Sequence, residues 1–345
     1  MTSPSRFNVR QSGRESVNGK LLRAETPAEM AAILDVMRRG NRFLVSSHAR
    51  PDGDAVGSVL AMGMLLEQMG KQADLVSADP VPQVYRSLPG AQNIRTVRRV
   101  EGAYDAAILL ECDGTERVGI AGLEQYSLIN IDHHYSGSDY GDLNWIDQEA
   151  ASVGEMVYRL AQAAGAHITA EMATSLYTTL LTDTGGFSYG GVQASTFAMA
   201  GDLVAAGANP VKIAQEVLYS APMSKVLLLG AALEHLHRQG RLAWLWVTHQ
   251  EMVRTCATEE DCEGIVNVAL GITGVEAAAF LRELADGRLR VSLRSKGKVN
   301  VAILAERLGG GGHKRAAGCT LDGPLGKRID EIHAMLGAEL ATEAV

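Results

Sequence analysis

Residues Ser47-His48-Ala49-Arg50-Pro51-Asp52-Gly53-Asp54 crowd a histidine and two aspartates into one short loop ahead of a helical pattern. Imidazole with carboxylate suits Mn²⁺ and related divalent cations. With glycine between them, Asp52 and Asp54 can turn toward two neighbouring ions, and His48 can join one. The plainer reading is a surface turn whose aspartate caps the following helix. Two more runs end in the same kind of residue: Ile108-Leu109-Leu110-Glu111-Cys112 breaks into Asp113-Gly114-Thr115, and Leu128-Ile129-Asn130-Ile131 runs into Asp132-His133-His134. A fourth, Leu180-Leu181-Thr182-Asp183-Thr184-Gly185-Gly186, stops a helical pattern at Asp183. Ligands of open α/β sheets gather at the carboxyl ends of strands, so endings of this kind describe one site for divalent-cation chemistry.

Such a site needs a sheet to hold it. Thr26-Pro27-Ala28-Glu29 reads as a helix start capped by Thr26, with the helix running to Gly40. Strand-length runs then alternate with helical patterns: Phe43 to Val45, Ala55 to Met69, Ala73 to Val76, Ala106 to Leu110, Leu128 to Ile131, then helices over Ser152 to Gly165 and Thr169 to Leu181. That alternation predicts an α/β fold whose N-terminal part is a mainly parallel sheet flanked by helices. After the turn cluster Gly207-Ala208-Asn209-Pro210, helices over Val211 to Val217 and Lys225 to His237 lead to a smaller α/β unit. Its strands are expected at Leu242 to Val247, Val275 to Leu281 and Leu289 to Leu293, with a last helix near Arg328 to Leu340. The expected organisation is a polar mobile arm (1–25), a catalytic domain (26–205), a helical linker (206–238) and a second domain (239–345), with the active-site cleft between the domains.

The 345 residues carry 32 Lys+Arg against 40 Asp+Glu, with 46% hydrophobic and 21% charged, which is ordinary globular composition and enough for two domains. The longest apolar run, Ala55 to Leu66, is interrupted well short of the ~18 residues that span a bilayer, which excludes channels and transporters. The first 25 residues hold no apolar stretch, so a cytosolic protein is expected. Cys112, Cys256, Cys262 and Cys319 lack paired spacing and read as small buried hydrophobes.

In their order, H-x-x-x-D-x-D, an isolated aspartate after a strand, D-H-H and T-D-T-G-G resemble the four motifs of the DHH phosphoesterase superfamily. Arg290-Val291-Ser292-Leu293-Arg294-Ser295 with Gly309-Gly310-Gly311-Gly312-His313-Lys314-Arg315 resembles the DHH-associated C-terminal domain. The pairing is most similar to the branch of bacterial nanoRNases and 3′-phosphoadenosine 5′-phosphate phosphatases. The resemblance implies two Mn²⁺ ions, with Mg²⁺ as a substitute. It places one on His48, Asp52 and Asp113 and the other on Asp54, Asp113, His133 and Asp183, with Asp113 bridging. It also implies that His134 contacts the scissile phosphate and that Asp132 fixes a histidine tautomer. Four carboxylates against two divalent ions sum to zero, whereas without cations they repel one another.

From Arg288 to Arg315 eight positive residues stand against Glu306 alone, in a chain whose net charge is −8. Arg290, Ser292 and Arg294 share one face of their strand, and guanidinium groups match phosphate. Arg294, Ser295, Gly311, Gly312, His313, Lys314 and Arg315 are therefore the expected substrate contacts, with the glycines letting backbone N–H groups approach an anion. Trp244 and Trp246 sit in an apolar strand pattern and read as core. The expected activity is release of 5′-mononucleotides from very short RNA, with 3′-phosphoadenosine 5′-phosphate as a further substrate. The alternatives are a cyclic or linear dinucleotide phosphodiesterase, a pyrophosphatase or polyphosphatase, and a nucleotide-binding regulator without turnover. Short RNA and nucleotides are the expected partners, with no membrane, and association into a homodimer stays open.

Overall fold

The short apolar runs of the first half become strands, and the central ones are buried on both sides, as a parallel sheet covered by helices requires. The computed structural model describes residues 27–134, 138–188 and 191–342; the expected arm and Thr26 lie outside them. The chain opens with α1 (Ala28–Arg39), preceded by Pro27 and closed by Gly40. It continues through β1 (Arg42–Ser46), α2 (Gly53–Gln68), β2 (Gln72–Ser77), β3 (Arg95–Thr96) and β4 (Ala106–Leu110). Then come α3 (Thr115–Val118), β5 (Leu128–Asp132), β6 (Leu143–Ile146), α4 (Val153–Ala164) and α5 (Ala170–Asp183). All residues of β4 and β5 are buried. Strands β3 and β6 were not expected: the first is two residues long, and the second mixes Asn144 with apolar neighbours.

The six strands are all parallel, in the order β3-β2-β1-β4-β5-β6. The chain winds outward from β1 to β3, then crosses back to β4 on the other side of β1. The order therefore reverses between β1 and β4, and the crevice outside their carboxyl ends is where such sheets bind ligands. The loops bearing His48 and residues 111–113 leave from those two strands.

Helix α2 is buried along nearly its whole length beneath α4 and α5. Gly53 and Gly57, one turn apart, let it approach α5 closely. A Cβ on Gly57 would lie 2.5 Å from Thr179 Cγ2 and 2.7 Å from the Ser175 carbonyl oxygen, and one on Gly53 2.4 Å from Thr182 Cγ2. This approach brings the Asp52–Asp54 loop beside the C-terminal end of α5, which carries Asp183.

Helices α6 (Ala194–Ala205), α7 (Pro210–Leu218) and α8 (Met223–Glu234) lead to the second sheet. Helix α8 stops at Glu234, three residues before the expected His237, because His237 begins β7 (His237–Gln239) and pairs with Trp244. Next are β8 (Leu242–Val247), α9 (His249–Arg254), α10 (Ile265–Leu270), β9 (Ala277–Glu283), β10 (Leu289–Ser295), α11 (Val301–Arg307), β11 (Gly311–His313), β12 (Ala316–Leu321) and α12 (Leu325–Thr342). Their sheet runs β11-β12-β10-β9-β8-β7, with only β8 and β9 parallel. Leu289, Val291 and Leu293 of β10 face the apolar core under α11 and α12, so Arg290, Ser292 and Arg294 face the opposite side, as their period of two requires.

Trp244 and Trp246 are half-buried rather than core. Trp246 stacks between His235 and His237, and Trp244 lies between His237 and His333. Of the cysteines, all free, Cys112 and Cys319 are buried, Cys262 is intermediate and Cys256 is exposed. Among the described residues no single helix is long and apolar enough to cross a membrane.

Gly57→Val is expected to cost about 2–4 kcal/mol in urea denaturation, because a backbone oxygen must move. Gly201→Ala, on α6 with open space around its Cβ, is expected to gain about 0.5–1 kcal/mol.

Candidate metal centre and substrate cleft

Asp54 is fully buried, and the fold meets its charge with three donors. Ser58 Oγ donates to Oδ1 at 2.9 Å, one helical turn on, while the backbone N–H groups of Val153 and Gly154 reach Oδ2 and Oδ1 at 2.7 and 3.0 Å. The last two are the first amides of α4, whose positive helix end favours an anion. Burial still dominates, and with Asp52 nearby it raises the Asp54 carboxyl above the usual range against the pull of His133. Asp52 caps α2, accepting from Ala55 N–H at 3.0 Å through Oδ1. It serves as cap and candidate ligand together, so the two readings of the loop do not compete.

The histidines are fixed from behind. His48 Nδ1 meets the Ala49 carbonyl at 2.9 Å, and His133 Nδ1 the Ala150 carbonyl at 3.0 Å. A carbonyl only accepts, so Nδ1 carries the proton and Nε2 is turned outward as an acceptor for a cation. His48 Nε2 lies 3.7 Å from Glu111 Oε2, and His133 Nε2 lies 3.3 Å from Asp183 Oδ2. Asp183, at the last residue of α5, is pushed up to about 7, chiefly by burial and further by Asp54 and Asp52, with His133 opposing.

The central residue is Glu111. Its side chain supplies an oxygen within 4.8 Å of candidate donor atoms in three groups: with His48 and Asp52; with Asp54, His133 and Asp183; and with His133 and His134. It is 2% exposed, its Oε2 has no hydrogen-bond partner, and burial together with Asp52, Asp54, Asp183 and Asp132 raises its carboxyl well above the ordinary value. Its φ of 54° is left-handed, a strained conformation for a side-chain-bearing residue, and it aims the carboxylate into the crevice as the chain leaves β4.

The expected bridging residue, Asp113, is not in any of these groups. Its Oδ1 accepts from Arg117 Nη1 at 2.9 Å, one turn along α3, and its carbonyl accepts from Ser138 Oγ at 2.8 Å. Glu111, two residues earlier, is the carboxylate common to the two donor sets. The other five expected ligands, His48, Asp52, Asp54, His133 and Asp183, do come together. An orphaned buried carboxylate oxygen, outward imidazole nitrogens and an all-oxygen-and-nitrogen donor set fit hard divalent cations.

Asp132, fully buried, accepts at Oδ1 from the backbone N–H of His133 and of His134 and from His134 Nδ1 at 2.5 Å. Burial opposes its ionisation, but the bonds and charge of His134 outweigh burial and hold the carboxyl below the usual range. An ionised Asp132 fixes a proton of His134 on Nδ1.

In the second domain Arg294 Nη1 donates to the Leu293 carbonyl at 3.0 Å, and Lys314 and Arg315 are exposed. Ser295 is buried: its Oγ accepts from Gly297 and Val299 N–H at 2.9 and 3.3 Å, so it shapes the loop after β10. The glycine run is part strand: Gly311 and Gly312, both exposed, form edge strand β11 against β12. A Cβ on Gly310 would lie 2.2 Å from the Gly318 carbonyl oxygen and one on Gly312 2.6 Å from that of Ala316, so both glycines serve close strand packing. The His313 side chain lies outside the described residues. Two of the eight cations are engaged elsewhere, Arg288 with Asp286 and Arg307 with Glu339. Across the cleft, Arg50 of the metal loop faces Glu259 of the second domain at 3.7 Å, a contact the sequence did not announce.

A doubly covered parallel sheet with acids and histidines at its switch point, facing an arginine-bearing second sheet, defines a hydrolase of phosphoester bonds. Residues 42–182 match the DHH family N-terminal domain and residues 247–342 the DHHA1 domain. The chain belongs to the DHH family of phosphoesterases. It is 33% identical over 282 residues to the bifunctional oligoribonuclease and PAP phosphatase NrnA of Thermus thermophilus, covering 81% of this chain and 84% of that protein. It is 27% identical to the NrnA of Bacillus subtilis, covering 81% and 89%. The crystal structure of an exopolyphosphatase-related protein from Bacteroides fragilis superposes with a TM-score of 0.86 at 25% identity, covering 93% of this chain and 98% of that one.

A carboxyl raised on folding, as in Asp183, adds stability that is full below its ordinary value near 3.8 and lost as pH rises through about 7. A divalent cation held by this carboxylate would take the place of that proton. The rise in Tm on adding Mn²⁺ to EDTA-treated protein is therefore expected to be larger at pH 8 than at pH 5.5, measured by scanning calorimetry. An equal rise at both values would contradict this site.

Proposed function

We infer that the protein is a cytoplasmic, metal-dependent phosphodiesterase that releases 5′-mononucleotides from very short RNA and also removes the 3′-phosphate of 3′-phosphoadenosine 5′-phosphate. The observation that carries this reading is the joining, on one chain, of two donor sets sharing Glu111 with a cleft-facing arginine strand, in a sequence similar to NrnA proteins over both domains. His48, Asp52 and Glu111 would hold one cation, and Asp54, Glu111, His133 and Asp183 the other. Two divalent ions, Mn²⁺ or Mg²⁺, would balance the charge of these four carboxylates and, when bound, would supply nucleophile activation and charge stabilisation at phosphorus.

The chain's own groups do the rest. Arg294 and the exposed Lys314 and Arg315 hold the nucleotide, and the imidazolium form of His134, held through Nδ1–H by Asp132, would give its Nε2 proton to the leaving oxygen and return to the neutral ring. Both reactions break the bond between phosphorus and the ribose O3′, so both release the same kind of product, a nucleoside 5′-monophosphate with a new 3′-hydroxyl. One site with one leaving-group geometry therefore serves both.

A cyclic dinucleotide offers no free end, and a cleft closed by a second domain favours a terminal nucleotide. With Mn²⁺, rapid hydrolysis of a linear RNA dinucleotide and of 3′-phosphoadenosine 5′-phosphate is expected, with a cyclic dinucleotide and pyrophosphate slower by about tenfold or more. His134→Gln is expected to lower kcat on the dinucleotide by roughly 10²–10⁴ while the Mn²⁺-induced rise in Tm persists. A faster cyclic substrate would move the protein to dinucleotide signalling, and silence on all four would make it a binder.

Leu218, Tyr219, Met223, Val226 and Leu227 are exposed together around the α7–α8 turn. This apolar face supports a homodimer. Light scattering should give twice the 36.7 kDa chain mass, falling to the monomer in Tyr219→Glu with Leu227→Glu.

A further inference from the structure

The cleft holds a second concentration of charge, of the opposite sign. Arg282 at the end of β9 and Arg290 on β10 are direct cross-strand partners, so their side chains leave the same face of the sheet, the one that carries Arg294. Like charges placed directly opposite oppose sheet pairing. Arg282 is only 7% exposed and donates from Nη2 to Glu259 Oε1 at 2.8 Å. Arg290 is half-buried and donates from Nη1 to the neutral Thr320 hydroxyl at 3.3 Å.

The third cation comes from the other domain. Arg50 Nη1 lies 3.7 Å from the same Glu259 Oε1. Its backbone sits at φ 57°, with its N–H bonded to Asp79 Oδ2 at 2.9 Å, so the metal loop is bent to send this side chain across the cleft. Arg50 is also close enough to Arg290 to repel it, and burial with that repulsion lowers the Arg290 guanidinium below its ordinary value. Arg50 and Arg282 thus share one carboxylate, and Arg290 lies near enough to feel all three; set against Glu259 alone, the three guanidinium groups leave an excess of two positive charges. Glu259 itself has a side chain 58% exposed, so it can swing away.

A buried arginine short of counter-charge is costly, and a ligand that supplies the charge relieves it. A phosphate monoester carries about −1.5 to −2 at pH 7, close to the excess, whereas a phosphodiester carries one charge, and guanidinium forks match its oxygens. We propose that Arg50, Arg282 and Arg290 form a subsite between the domains for the 5′-phosphate monoester of the leaving nucleotide, with Glu259 as the internal occupant that this phosphate displaces. The subsite rests on the reading that nucleotides bind this cleft. It also explains how one enzyme handles both substrates, since 3′-phosphoadenosine 5′-phosphate and a 5′-phosphorylated dinucleotide present the same leaving nucleoside 5′-phosphate.

The test is calorimetric titration of the full-length, EDTA-treated protein with 5′-AMP and with adenosine, so that cations do not contribute. The wild type should bind 5′-AMP about tenfold tighter than adenosine. Arg290→Gln should shrink that margin toward one, and Glu259→Gln, which removes the competing charge at an exposed position, should widen it. A wild type without the margin overturns the proposal. So do a margin unmoved by either substitution and a margin narrowed by Glu259→Gln, which would make Glu259 a strut between domains. Turnover of a dinucleotide with a free 5′-hydroxyl reports separately on the underlying activity, because that substrate does not use the subsite.

Discussion

Everything in this chain bends around the repulsion among Asp52, Asp54, Glu111 and Asp183, four carboxylates gathered within a few ångströms at the edge of a sheet. At an effective dielectric near 20, two unit charges 4 Å apart repel by about 4 kcal/mol, so the cluster costs more than most single interactions in a protein. The fold meets part of this cost locally. Asp54 rests on the first amides of α4, Asp52 caps α2, and the two histidines are locked by backbone carbonyls. The remainder appears as carboxyls raised by burial and mutual repulsion at Asp54, Glu111 and Asp183.

The second domain is the electrical complement of the first. It turns Arg290 and Arg294 toward an acidic crevice and lets Arg282 share Glu259 with Arg50. A polyanion entering this cleft finds cations on the side of the first domain once the metals are in place and guanidinium groups on the side of the second. Positive φ values at Glu111 and Arg50 mark the two places where the backbone itself is distorted to aim charge into the cleft.

Much of this was legible in the sequence, and the misses have physical reasons. Continuous apolar runs such as Ala106 to Leu110 announce a doubly covered parallel strand, and capping residues such as Ser152 and Thr169 place helix starts to the residue. The candidate donor groups take in Glu111 rather than the expected Asp113, two residues on, because Glu111 reads as the polar end of an apolar run and Asp113 as the residue that breaks it. Only the left-handed turn after β4 decides which of the two faces inward. The glycines of 309–312 were read for what they permit a ligand to do, whereas close strand packing against Gly318 and Ala316 also requires two of them, Gly310 and Gly312. The bridge from Arg50 to Glu259 joins residues two hundred positions apart, and no local pattern encodes it.

The central claim is that Glu111 joins the two donor sets, and calorimetric titration of metal-free protein with Mn²⁺ tests it most directly. The wild type should take up two ions per chain. Glu111→Gln should lose uptake or weaken it by about tenfold or more, while Asp113→Asn, whose carboxylate serves Arg117, should titrate like the wild type. Unchanged uptake in Glu111→Gln, or its loss in Asp113→Asn, would contradict the account.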